Sequence, residues 1–92
     1  MRQPKPKTHT LKVWREFFDA LADGTKTFEV REDDRSFAVG DTLLLREWDP
    51  VPFNGAHGGD FTGRDLARTI TFKLPGGKFG IDPRFCVLGL SR

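Results

Sequence analysis

The residues best suited to chemistry cluster in "GTKTFEVREDDR", residues 24–35. One glycine, three basic residues and four acids share twelve positions. Lys26, Glu29 and Arg31 form the pattern Gly-x-Lys-x-x-Glu-x-Arg. A carboxylate between two cations can accept hydrogen bonds while an ammonium and a guanidinium hold an anion, the guanidinium by its fork and the ammonium as a point charge. Three such charges are costly to bury unless they are paired or face a ligand. On the residues alone, a surface ion-pair network remains the commoner arrangement and a ligand cleft the alternative. Lys12 and Arg35 are further candidates to line a cleft, and Trp48 is either a stacking platform for a base or a core aromatic.

Other chemistries find little support. His9 and His57 are the only histidines and Cys86 the only cysteine, so neither a multi-cysteine zinc site nor an internal disulfide is expected, and a single thiol suits a reducing, cytoplasmic setting. "GGKFG" (76–80) lacks the spacing of a phosphate-binding loop and reads as a turn. No cofactor is expected.

The elements that must position these residues follow from the hydrophobic period. Residues 1–8 carry two prolines and read as a basic arm, leaving one domain over 9–92. The N-terminus has no apolar run behind its basic residues, so no signal peptide is expected, and no segment approaches the roughly 20 apolar residues of a membrane span. "HTLKVW" (9–14) alternates as a strand with Leu11 and Val13 on one face and Lys12 on the other. Trp14, Phe17, Phe18 and Leu21 then fall at i, i+3, i+4 and i+7, a helical stripe ended by Gly24, with Trp14 expected in the core. Strands are expected over 26–31, 42–48, 64–74 and 85–90. The 42–48 strand is expected to be buried in its first half, and the 64–74 strand to point Ile70, Phe72 and Leu74 inward. Residues 49–63, with two prolines and four glycines, read as a long hairpin loop. Close spacing favours antiparallel pairing. The expected fold is therefore mixed α/β but mainly β, a small, partly open antiparallel β-barrel with one short helix covering one end.

"GTKTFEVR" after a helix resembles the signature of ASCH domains, a branch of the PUA-like superfamily. "HTLKVW", "VGDTLLLREWDP", "FTGRDLARTITF" and "GGKFGIDPRFCVLGL" extend the resemblance, from His9 to Leu90, to short ASCH-like proteins of bacteria and their phages. The 49–63 loop is longer than that family's pattern. The resemblance implies a PUA-like barrel whose cleft, between helix and barrel, is lined by Lys26, Glu29 and Arg31 and takes RNA or a nucleotide. Binding is then the leading expectation, to single-stranded RNA or a nucleotide-like small molecule. Lys12, Arg35 and Trp48 would support the motif residues, and truncation of Lys26 or Arg31 would weaken binding with folding largely intact. The net charge of +2 is low for a protein gripping a long phosphate backbone. The alternative is a small ribonuclease or amidohydrolase using Lys26 and Glu29. An ASCH-type amidohydrolase of acetylated cytidine places a Thr where this chain has Glu29 and uses a later Glu, whereas no Glu follows Trp48 here.

Overall fold

A computed structural model describes residues 5–51 and 58–92. His57, the tip of the 49–63 loop and the first half of the N-terminal arm lie outside the described residues. Five strands and one helix follow in the order β1 (Thr8–Trp14), α1 (Arg15–Asp23), β2 (Phe28–Glu32), β3 (Thr42–Asp49), β4 (Asp60–Pro75) and β5 (Phe85–Leu90). They form one sheet in the spatial order β1-β3-β4-β5-β2. The fold is mainly β, with a sheet that curls without closing, as expected. Among the described residues, no helix is long and apolar enough to cross a membrane.

One pairing departs from the antiparallel expectation. β3–β4, β4–β5 and β5–β2 are antiparallel, but β1 runs parallel to β3, with Leu11 opposite Leu45 and Trp14 opposite Trp48. Parallel neighbours need a long crossover. Here α1 and β2 supply it, because the chain passes through both before returning as β3.

β1 alternates as its sequence implies, with His9, Leu11 and Val13 buried. Trp14 continues that alternation outward and stays 48% exposed, so it is not the core residue its place in the helical stripe suggested. Phe17 is likewise half-exposed, and α1 buries only Phe18 and Leu21. A nine-residue helix lying across the end of a curled sheet buries a narrow stripe, and Trp14 still belongs to the strand. Gly24 ends the helix at φ 83°, a left-handed conformation that costs glycine little. A Cβ there would also lie 2.6 Å from Arg92 Nε. Lys26 N–H then donates to Ala20 O at 2.9 Å, turning the chain directly toward β2.

β3 is not buried in its first half alone. Leu43, Leu45 and Glu47 are all buried in strict alternation. In β4 the register shifts between Ile70, opposite Leu90, and Phe72, opposite Gly89. Thr71 is the extra residue of this bulge, and one extra residue exchanges the two faces of everything beyond it. Ile70 is fully buried, but Phe72 is 63% exposed and Lys73 turns inward instead, donating to Phe37 O and Asp33. The inward set Ile70, Phe72, Leu74 is thus correct only at its first member. We expect Ile70→Ala to cost about 2–5 kcal/mol and Phe72→Ser less than about 1 kcal/mol. Chemical denaturation of the two variants checks the bulge, since an unbroken strand would make both costly.

Leu11, Val13, Leu43, Leu45, Ile70, Leu88 and Leu90 form the core with Phe18 and Leu21 from α1, Phe37 from the loop before β3, and Cys86. Burial, and then the nearby Asp33 carboxylate, push the Cys86 thiol pKa up, which keeps it unreactive.

At the end away from α1, Asp41 is buried and gathers three donors. Lys7 N–H lies 3.0 Å from Oδ1, and Oδ2 takes His9 Nε2 at 2.8 Å and Ala38 N–H at 3.1 Å. The Lys7 N–H first, then the His9 ring, hold the Asp41 carboxyl below the usual carboxylate range. This knot ties the start of β1 to the turn before β3.

Candidate ligand-binding cleft

β1 and β2 are the two edges of the sheet. No ladder joins them among the described residues, and the seam is bridged by guanidinium groups instead. Arg31 Nη1 donates to Lys12 O at 3.0 Å and Arg35 Nη1 to Thr10 O at 3.2 Å. These are carbonyls that β1, as an edge strand, leaves without a strand partner.

A cleft of about 480 Å³ opens at the α1 end of this seam. Its walls are Lys12, Val13 and Trp14 from β1, Phe17 from α1, Lys26 from the junction, and Phe28, Glu29, Val30 and Arg31 from β2. The strand period explains the meeting. Glu29 and Arg31 share the inward parity of β2, while Phe28 and Val30 face outward and form the rim. That parity puts charges on the inner face and apolar residues outside, because β2 borders the cleft rather than the middle of the core.

Glu29 is the floor, only 5% exposed. Its Oε1 accepts from Lys26 Nζ at 2.5 Å, and Lys26 also donates to Phe28 O at 2.9 Å. Arg31 Nη1 stands 3.7 Å from Glu29 Oε2, an ionic contact beyond hydrogen-bond range. The Lys26 ammonium lies over the Phe28 ring at 4.9 Å and the Phe17 ring at 5.6 Å. Three positive charges, Lys12, Lys26 and Arg31, therefore face one negative charge among aromatic walls that are each about half-exposed.

Of the six residues that the sequence singled out, four line this cleft: Lys12, Lys26, Glu29 and Arg31. Arg35 does not, being held by Thr10 O and Asp34 along the seam. Trp48 supports the cleft from behind. It is half-buried, with the Lys12 ammonium 4.2 Å from its ring centroid and the Trp14 ring at 6.0 Å. Trp14, expected as core, and Phe17, from the same helical stripe, are walls.

Three buried polar groups among the described residues escaped the sequence reading: Asp41, Glu47 and His9. Glu47, 3% exposed, accepts from Thr62 Oγ1 at 2.5 Å and lies 3.7 Å from Arg64 Nε, while its Oε2 has no partner among the described residues. It is not a wall of the cleft. The phase of Leu43 and Leu45 was the signal that could have placed it inside. His9 was signalled in the same way, by its phase with Leu11 and Val13.

Fold and site together define a small β domain with one amphiphilic, cation-rich cleft at an open seam. Residues 8–90 match the family described as a domain of unknown function, DUF3850, and the chain belongs to that family. It is also similar to the "Uncharacterized 12.9 kDa protein in GpA 3'region" of Escherichia phage P2, with 38% identity over 65 residues. That match covers 71% of this chain and 52% of the phage protein, so the chain spans about half the length of this relative.

Proposed function

We propose that this chain is an RNA- or nucleotide-binding module of the ASCH, PUA-like kind, acting in the cytoplasm and taking its ligand in the cleft floored by Glu29. The observation that carries this reading is the convergence of Lys12, Lys26, Glu29 and Arg31 with Trp14, Phe17 and Phe28 on one opening. A nucleotide combines an anionic group, a flat ring and hydrogen-bonding edges, and this wall offers a complement to each. The modest excess of positive charge suits a single nucleotide or a short single strand better than a duplex.

Lys12 is the most direct probe. Its side chain is exposed, rests on the Trp48 ring, and forms none of the ion pairs found among the described residues. Lys12→Ala should keep the wild-type thermal midpoint within a few degrees. It should weaken binding of a nucleoside monophosphate or a short single-stranded RNA about tenfold, in isothermal titration at low salt, and the wild-type affinity should fall as salt is added. Absence of saturable binding by the wild type, or unchanged binding by Lys12→Ala, overturns the reading.

A second reading, a small hydrolase acting on RNA or a modified nucleoside, is favoured by the 2.5 Å contact between Lys26 Nζ and Glu29 Oε1. Such a pair can exchange a proton if the two affinities are matched. Glu29 stands where the acetylcytidine amidohydrolase pattern has Thr, which counts against that particular activity.

A further inference from the structure

Resting on the nucleotide-binding reading, we infer that Glu29 makes the cleft selective for a ring edge that carries an exocyclic amine, so that amino-bearing bases are taken and uracil is rejected.

The inference comes from what each Glu29 oxygen can do. The carboxylate is fixed from two sides. Lys26 holds Oε1, and the Leu88 backbone opposite Glu29 in the β2–β5 ladder sets the height of the residue in the cleft. Oε2 is different. Arg31 keeps Nη1 on the Lys12 carbonyl at 3.0 Å and stands off from Oε2 at 3.7 Å. The cleft floor thus presents an acceptor oxygen whose hydrogen-bonding capacity the protein does not fill. An ionised carboxylate accepts and cannot donate. It matches the exocyclic amine of cytosine, adenine or guanine. The uracil edge places a carbonyl oxygen at the position of the cytosine amine, and its one edge donor, N3–H, lies between two carbonyl oxygens that a carboxylate meeting it would also face. Because Glu29 is 5% exposed, a ring laid over the floor leaves little room for water to relieve that mismatch.

The geometry around Glu29 favours a ring over a flexible amine. Phe17 and Phe28 stand on either side of the Lys26 ammonium that holds the carboxylate, and both rings are about half-exposed. A planar heterocycle can cover this apolar surface and still point its edge at the floor. A free ammonium would leave the surface wet and would meet Lys26 and Arg31 as like charges.

The test is a comparison between cytidine 5′-monophosphate and uridine 5′-monophosphate, which share sugar and phosphate and differ only at the ring edge. Titrated into the full wild-type chain at low salt, the cytidine compound should bind at least about tenfold more tightly. Adenosine and guanosine monophosphates should also exceed uridine. Glu29→Gln replaces the acceptor-only group with an amide that can donate or accept, and should reduce the cytidine-to-uridine ratio to less than about threefold. Equal binding of the two by wild type, or tighter binding of uridine, overturns the selectivity while leaving nucleotide binding in place. Binding of none of the four at millimolar concentration overturns the nucleotide reading and this inference with it. A folded Glu29→Gln that keeps the wild-type ratio overturns the role of Glu29, and if that variant does not fold the same comparison is made with Glu29→Asp, which keeps an acceptor-only group and should keep the preference for cytidine.

Discussion

Asp41→Ala should lower the thermal midpoint by about 12–24 °C. Asp41 is 4% exposed and accepts from Lys7 N–H, Ala38 N–H and His9 Nε2. Truncation leaves all three donors without an acceptor. The His9 ring is itself buried and cannot turn to water, whereas Lys7 and Ala38 are exposed residues that can partly rehydrate. A total of about 3 kcal/mol is therefore expected. For a domain of this size each kcal/mol shifts the midpoint by about 4–8 °C. The same residue gives the protein an acid limb. Its folded-state pKa is depressed, by the Lys7 N–H first and by His9 next. A depressed carboxyl contributes its full stability above its unfolded value, near pH 4, and loses that contribution as pH falls through the lower folded value. Asp23 and Asp82 are depressed too, by Thr25 and Arg84 respectively, but both are solvent-exposed and should matter less. Wild-type stability should thus fall below about pH 4, and Asp41→Asn should flatten that fall. Parallel acid limbs for the two proteins, or a midpoint for Asp41→Ala within 4 °C of wild type, would show that Asp41 does not hold this end of the sheet.

The second large effect concerns Lys26. From the sequence, its loss was expected to leave folding largely intact. The structure alters that expectation, because Lys26 is the hydrogen-bonding partner of a carboxylate that is nearly inaccessible. Removing one member of a buried pair costs more than the pair contributes, since the other charge is left uncompensated. Lys26→Met should therefore destabilise by about 2–3 kcal/mol. This is below the full range for a buried pair, because the Lys26 side chain is 20% exposed and Arg31 remains 3.7 Å from Glu29. Replacing both members, as Lys26→Met with Glu29→Leu, removes the stranded charge and should restore stability to within about 1 kcal/mol of wild type. Nucleotide binding should be lost in the single and the double variant alike. Urea unfolding of the set, with a titration of each folded variant, separates the two roles. A single variant as stable as wild type would show that Glu29 needs no partner. A double variant that regains stability and still binds would remove these charges from the ligand site.

Arg31 shows why such roles are entangled here. An open sheet leaves an edge on each side, and the carbonyls of an edge strand need donors. Arg31 and Arg35 supply them across the seam, so one of the two cations beside the floor carboxylate is also a structural clasp. Of the acids after the motif strand, Asp34 pairs with Arg35 and Asp33 with Lys73. The charged run in residues 24–35 therefore divides between cleft and seam.

Local rules determined much of this protein. The period change at Trp14, the glycine at 24 and the alternation in 8–14, 42–49 and 85–90 are short-range properties, and β1, α1, β3 and β5 lie close to where they place them. The grouping of Lys26, Glu29 and Arg31 was legible for the same reason, since two residues on one strand face share a direction regardless of what the strand packs against. Partners and parity in the whole fold were decided only by tertiary structure. The parallel pairing of β1 with β3 depends on where the chain returns after α1 and β2, and no local pattern encodes that return. The bulge at Thr71 exchanged the inner and outer faces of β4, so Phe72 lies outside and Lys73 inside. Trp14 and Phe17 became walls because α1 crosses the end of the sheet at the open seam and leaves them uncovered. His9 and Asp41 could be buried because folding brings them within 2.8 Å across 32 residues of chain, and a buried polar group is tolerated only where a partner arrives to meet it.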